Sequence, residues 1–231
     1  MFPEPVTTAE IHQTMPLPQA DQNDFWWQKI WAYLRPPPII TVDSFKIFLS
    51  QRAALIAQKC AIDYCRGKTG LMSFALFEEE TFLKALAICR WEAYAAVLAD
   101  LLIVAEAYLR PHTSPTAYIR LREALRRLYP AILRTQGLPE HRPEGWDDVV
   151  KDFDERLTAA GVNAPSPVVD IADHSAKRLF NTLPIHASMR ELDEEVVFGA
   201  VRFRMVAVAQ EMRRRIDAAA VVAALLADGV S

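Results

Sequence analysis

The segment DIADHSAK carries the residues of this chain best suited to acid–base or metal chemistry. Asp170 and His174 stand four positions apart, and Asp173 is adjacent to the histidine. On a helix this spacing brings a carboxylate and an imidazole to one face, where they can bind a metal ion or form an acid–base pair. Metal sites with strong signatures show three or four ligands at recognisable spacing, and none is visible here. We therefore expect this trio to stabilise its own helix, with a ligand or metal site as the alternative.

Two glutamates are also candidates, because they lie in or beside the most apolar part of the sequence. Between Ala93 and Tyr108 only Asp100 and Glu106 are charged, and Glu92 directly precedes this run. On one helix Glu92 and Glu106 would lie about 40° from a common line. We expect structural ion pairs here. The candidate basic partners are Arg90, Arg110, Arg202 and Arg204. The alternative is a pocket for a small molecule or metal that Glu92 and Glu106 line together with the histidine segment.

The sequence shows no pattern typical of a catalytic nucleophile or a bound cofactor. Cys60, Cys65 and Cys89 have neither C-x-x-C spacing nor a setting that would lower a thiol pKa, so we expect them in the core. The glycine patterns of Walker and Rossmann phosphate loops are absent from the sequence, and so is the G-x-S-x-G turn. We predict no catalytic residues and no cofactor, and we favour a non-catalytic protein over an enzyme.

Arginines cluster between residues 110 and 134, a stretch that contains six arginines and one acidic residue. Such a face could contact phosphates or an acidic partner, and Arg120 and Arg127 are its candidate contact residues. However, the stretch from 140 to 155 carries seven acids and only two bases, so the two regions can neutralise each other within the fold. The net charge of −3 and the few aromatics among the arginines also argue against nucleic acid. Intramolecular pairing is the prediction.

The stretch DFWWQKIWAYLRPPP, residues 24–38, crowds aromatic side chains before three prolines. Trp26, Trp27 and Trp31 are its candidate partner-contact residues. An interfacial membrane helix would place several bases opposite the aromatics, and this segment has only Lys29 and Arg35. We expect the segment to pack on the protein's own bundle, with partner docking and membrane-surface binding as alternatives.

These residues must be positioned by helices. Hydrophobic residues make up 52% of the 231-residue chain, and there are only seven glycines, which favours helices over sandwiches or nucleotide-binding α/β folds. We predict an all-α fold: an irregular bundle of about seven helices around a central apolar helix at about 78–109. Residues 1–22 are predicted to form a flexible arm, and residues 23–231 a single helical domain.

The C-terminal region is predicted to form a long helix of roughly 40 residues, starting at a capping box in SMRE. Apolar residues follow it at steps of three and four, which is typical of packed helices. The candidate dimer seam consists of Val201, Met205, Val208 and Met212. Packing of this helix on the protein's own bundle is the first expectation, and the homodimer seam is the alternative.

Taken together, these patterns predict a cytoplasmic, non-catalytic interaction or regulatory protein that acts through self-association and partner binding. A homodimer or a complex with another protein is expected, and neither nucleic acid nor a membrane is. The N-terminus lacks the basic and apolar regions of a signal peptide. The competing hypothesis is a helical bundle, possibly an enzyme, with a pocket for a small molecule or metal.

Overall fold

A computed structural model describes residues 37–228 of the chain. Within that range the chain forms nine α-helices, two short 3₁₀ segments and no strand, so the all-α prediction is confirmed. The α-helices are α1 (Val42–Thr69), α2 (Ser73–Leu76), α3 (Glu80–Leu109), α4 (Pro115–Thr135), α5 (Asp147–Val162), α6 (Val168–Thr182), α7 (Ala187–Arg190), α8 (Glu194–Arg215) and α9 (Ala218–Asp228). The 3₁₀ segments are Gly70–Met72 and Arg110–His112.

Helix α3 is the centre of the bundle, as its composition predicts. Every residue from Glu92 to Glu106 is buried, because a helix that is apolar nearly all round has to be covered nearly all round. Helices α1 and α6 make its most extensive contacts, and α8 packs mainly against α6. Helices α4 and α5 also contact α3, and α9 packs on α4 and α1.

The helix ends show how local signals set the bounds. Thr41 caps α1: its Oγ1 accepts the Ser44 backbone N–H at 3.1 Å, and the Ser44 Oγ accepts the Thr41 backbone N–H, which completes a capping box. The helix continues past Gly67 and ends at Gly70, where φ is +52°. Helix α4 starts with Ser114 as its cap and Pro115 at its first position, a common pair of residues at a helix start.

The prediction of one long C-terminal helix is wrong. The backbone N–H of Ser188 bonds to Nδ1 of His186, so the predicted capping box does not form, and α7 is only one turn. The second break lies at Ile216, which is extended and forms a parallel β-bridge with Ile39. Two hydrogen bonds hold it: Ile39 N–H to the carbonyl of Arg215 at 2.7 Å, and Asp217 N–H to the carbonyl of Ile39 at 3.0 Å.

After this break the apolar helix α9, with the sequence AAAVVAALLAD, packs back onto the bundle. The side chain of Asp217 accepts the backbone N–H of Ala220 at 3.0 Å and so caps α9. Val221, Val222 and Leu225 are then buried against neighbouring helices. Exposing these apolar side chains of α9 to water would be unfavourable, and the chain's own helices cover them.

The residues assigned to a dimer seam also lie inside this chain. Val201, Met205, Val208 and Met212 are at most 6% exposed, because α8 turns this face toward the bundle. Burial within the chain agrees with packing on the protein's own bundle and corrects the alternative of a dimer seam at these residues.

Two other predictions concern parts of the chain that are not described. The N-terminal arm, and the aromatic segment with Trp26, Trp27 and Trp31, lie outside residues 37–228. Among the described helices, none has the length and apolar character needed to span a membrane.

The bridge at Ile39 yields a test of what holds the α8–α9 junction. Ile39 is 3% exposed, so Ile39→Ala should lower the free energy of unfolding by about 2–5 kcal/mol through lost burial and a cavity. Urea unfolding followed by circular dichroism measures this change. The adjacent Ile40 is 47% exposed, and Ile40→Ala should cost only about 0.5 kcal/mol. Equal losses in the two variants would contradict the assignment of Ile39 to the core.

Candidate functional site

Three carboxylates of the central helix are the most unusual chemical feature of the fold. Glu92, Asp100 and Glu106 are at most 4% exposed. Since an uncompensated buried charge is strongly destabilising, each needs cationic or hydrogen-bonding partners. The surrounding helices and loops supply them.

Glu92 lies where three basic side chains converge. Its carboxylate accepts hydrogen bonds from both sides of the Arg142 guanidinium, at 2.7 and 2.8 Å, and its Oε1 lies 2.9 Å from Nε2 of His141. Arg178 of α6 donates from Nε at 2.9 Å. Burial by itself raises the pKa of this carboxyl, but the hydrogen bonds from Arg142, Arg178 and His141 together outweigh it and lower the pKa to about 2. Glu92 therefore joins the loop before α5 to helix α6.

Asp100, about two turns further along α3, joins α5 to α6. Its Oδ1 accepts from Nη2 of Arg156 at 2.5 Å, and its Oδ2 accepts the backbone N–H of Ser175 at 3.0 Å. Nη1 of Arg156 lies 2.7 Å from Nδ1 of His174. Because arginine can only donate, Nδ1 accepts, and Nε2–H of the imidazole donates to Oδ2 of Asp152 at 3.1 Å. Both ring nitrogens of His174 thus contact side chains of α5, Arg156 and Asp152.

Glu106 holds the C-terminal end of α5 through Arg110. It accepts two hydrogen bonds from Arg110, both at 2.9 Å, and one from the hydroxyl of Tyr118 at 2.5 Å. Burial and the bond to Glu106 raise the pKa of Tyr118 to about 12, so the tyrosine stays a donor. Arg110 also donates to the carbonyls of Ala160 and Asn163, at 2.6 and 2.9 Å, which satisfies the C-terminal end of α5.

An acidic cavity of about 190 Å³ opens between α3, α5 and α6. Its lining residues are Glu92, Ala96, Ala99, Tyr129, Asp148, Val149, Asp152, His174 and Arg178. The charged groups in this wall largely bind each other: Arg142 bridges Glu92 and Asp148, and His174 bonds Asp152. Among residues 37–228 no three histidine, cysteine or carboxylate side chains are arranged to hold a metal ion.

The structure brings together only two of the five predicted ligand residues. Glu92 and His174 line the acidic cavity, whereas Glu106 is occupied by its own ion pair. Asp170 lines a separate cavity of about 260 Å³ beside α5. Asp173 is bound by Nε of Arg202 at 2.6 Å. The single pocket that sequence reasoning considered is therefore divided among several places, which corrects that hypothesis.

The arginines that pair with Glu92 and Asp100 were not among the predicted partners. Of the predicted arginines only Arg110 pairs with an acid of α3. The missed residues are Arg142, Arg156 and Arg178. A signal for two of them was present, because Arg156 and Arg178 each stand four positions after another polar residue of the site, Asp152 and His174.

The arginine-rich helix α4 pairs within the fold. Arg126 forms ion pairs with Glu123 of its own helix and Asp154 of the acidic helix α5. Arg120 donates to the carbonyl of Leu226 at 2.8 Å, so it contacts α9. Arg127 lines a small cavity that α9 also borders. The predicted neutralisation between the basic and acidic regions is thus observed at Arg126.

The cysteines pack in the core, as predicted. Burial raises the pKa of the thiols of Cys60 and Cys89 to about 11 and that of Cys65 to about 12. All three are free thiols in the structure. A thiol with a raised pKa is a poor nucleophile at neutral pH.

The outer face of α8 is a second feature, which sequence reasoning did not single out. Leu192, Val196 and Phe203 are 94%, 64% and 74% exposed. Val196 and Phe203 stand seven positions apart on one side of the helix, opposite its buried face, and Leu192 lies in the turn just before α8. We call this the outer face of α8. Between Val196 and Phe203 it contains Gly199, beside which the space is open.

Comparison with known proteins identifies no relative of this chain. No protein-family model, no curated protein and no solved structure shows a significant match to this chain.

The Glu92 cluster yields a pH-dependent prediction. Glu92→Gln should lower the free energy of unfolding at pH 7 by about 3 kcal/mol. The pKa of Glu92 falls from 4.5 to about 2 in the fold, and each unit of this difference corresponds to about 1.4 kcal/mol. A lowered pKa stabilises the fold above the unfolded-state value of about 4.5, and this contribution is lost as the pH falls toward 2. The gap between wild type and variant should therefore narrow between pH 5 and pH 3 in urea unfolding.

The matched control for this test is Glu80→Gln, on the exposed first turn of the same helix. Glu80 pairs with Lys84 in solvent, so its loss should cost about 0.5 kcal/mol or less at any pH. A gap for Glu92→Gln that stays constant down to pH 3 would contradict the ion-pair account.

Proposed function

We propose that the protein is a non-catalytic interaction protein that self-associates through the outer face of α8. The observation that carries this proposal is the pair of exposed apolar side chains Val196 and Phe203 on α8, together with Leu192, which is exposed in the turn before the helix. Exposed large apolar side chains scattered singly are normal, but several of them along one side of a helix and the turn before it are typical of an interaction site.

The shape of this face supports close helix packing. Phe203 lies between Gly199 and Ala207, each four residues away on the same side of the helix. Small residues on both sides of a large one let a second helix approach and receive the aromatic ring. Gln210 and Arg214 continue the same face toward the end of α8 and would form its polar rim.

The charges along α8 favour a second copy in antiparallel orientation as the occupant. Glu194 and Glu195 lie in the first turn, and Arg213 and Arg214 are exposed in the last. Two copies related by a two-fold axis near Phe203 would place the acidic end of each helix against the basic end of the other. An interface built around a two-fold axis uses the same patch twice, which suits a single self-complementary face.

The size of the face sets the expected strength. A helix of 22 residues is about 33 Å long, so the contact belongs to the small class of interfaces. We therefore expect a reversible dimer with a dissociation constant in the micromolar range. The acidic cavity supports a catalytic function less well, because its charged groups already bind one another.

The apolar part of this proposal is tested by Phe203→Glu in the full chain. Sedimentation velocity and native mass spectrometry across micromolar concentrations should show a concentration-dependent dimer for wild type and a monomer for the variant. Phe74→Glu is the matched control, because Phe74 is 80% exposed on α2 and should leave the dimer intact. A wild-type monomer throughout this range, or a dimer that survives Phe203→Glu, would overturn the proposal.

The orientation is tested by charge reversal at the two ends of α8. Arg213→Glu with Arg214→Glu makes both ends acidic, and Glu194→Arg with Glu195→Arg makes both ends basic. Each double variant alone should dimerise more weakly than wild type, and a mixture of the two should form a heterodimer. No heterodimer on mixing would contradict the antiparallel arrangement while leaving the Phe203 test to judge self-association.

A further inference from the structure

A cavity between α1 and α3 borders the only arginine of α3, which has no ion pair within residues 37–228. The cavity measures about 250 Å³, and Arg90 lies in its wall. It lies apart from the acidic cavity and from the outer face of α8, so it is independent of both.

Arg90 is only partly exposed and is short of partners. Its Nε is buried without a hydrogen-bond acceptor, and no carboxylate among residues 37–228 lies within ion-pair distance of its guanidinium. A buried donor without an acceptor costs about 1–3 kcal/mol, and more when it is charged. The contrast with Glu92, two residues away, is clear, since that carboxylate is fully paired. Within residues 37–228 the hydrogen-bonding capacity of Arg90 is thus unused, and its position in a cavity wall makes it available to an anionic ligand.

The remaining walls suit a flat apolar group. Trp91 and Tyr94 meet edge to face, with ring centres 6.0 Å apart. The hydroxyl of Tyr94 is already bonded to Oγ of Ser50 at 2.9 Å, so the ring offers the cavity its carbon surface. Ala54 and Ala57 of α1 and Ala87 of α3 also line the space, and their small side chains leave it open.

We propose that this cavity binds a small planar carboxylate, with its acid group on Arg90 and its apolar body against Trp91 and the alanines. The guanidinium presents two parallel N–H donors, a geometry that matches a carboxylate. A single cation fits one negative charge better than a phosphate dianion. Gln58 and Gln136 also line the cavity and can bind a second polar group of the ligand. The volume is below the range of about 300–1,000 Å³ for drug-sized ligands, so the ligand is small.

Benzoate is the probe for this proposal, and benzamide is its uncharged control of the same shape. With alanine methyl groups labelled in the full chain, NMR titration should show shifts at Ala54, Ala57 and Ala87 for benzoate. Benzamide should bind at least tenfold more weakly, because it lacks the charge that Arg90 recognises. Shifts spread over the whole protein, or equal binding of the two compounds, would overturn the proposal.

Two variants locate the site. Arg90→Gln should weaken benzoate binding at least tenfold, whereas Arg134→Gln removes the same charge from an exposed position and should leave binding unchanged. Ala87→Leu should fill the cavity and block binding without loss of the fold, because Ala87 is exposed on the helix. Benzoate affinity that is unchanged in both Arg90→Gln and Ala87→Leu, or no benzoate binding by wild type at millimolar concentration, would refute this site.

Discussion

The arrangement of helices depends on one constraint: three carboxylates of α3 are buried and must be neutralised where they stand. Glu92, Asp100 and Glu106 each bind groups from at least one other element. Removing one partner from a buried pair costs about 3–5 kcal/mol, whereas replacing a whole pair with apolar side chains can be neutral. The pairs therefore fix which helix lies against which stretch of α3 more than they add to stability. Apolar contacts alone would specify the position of α5 along α3 less strictly, because α5 buries only two side chains, Phe153 and Leu157.

The same constraint explains how α5 is held. It has only two fully buried side chains, Phe153 and Leu157, so its apolar contribution is small. Arg156 binds it to the middle of α3, and Arg110 holds the carbonyls at its end. Arg122 adds contacts from α4. Polar anchors thus replace hydrophobic area on this side of the bundle.

Sequence reasoning worked where a signal is local and failed where the partner is distant. The central helix and the Ser114–Pro115 start of α4 follow from runs and caps within a few residues. The break at Ile216 has no such signal, because the extended backbone there is stabilised by Ile39 from the other end of the described chain. The pairing of Glu92 with Arg142 and Arg178 is equally non-local, since charge type alone does not select among the chain's many arginines. The cavity beside Arg90 arises from the distance between α1 and α3, which no pattern in either helix specifies.

The bridge between Ile39 and Ile216 bears on how the protein is completed during synthesis. Its two hydrogen bonds join Ile39 to Arg215 and Asp217, which are made much later than Ile39, so both bonds cannot form on the ribosome until residue 217 has left the exit tunnel. Local helices such as α1 and α3 can pair before that point, because contacts close in sequence form sooner than distant ones. Until then the backbone N–H and carbonyl of Ile39, just before α1, would form hydrogen bonds with water. Docking of the α8–α9 junction then becomes the step that converts a partly formed bundle into the finished fold.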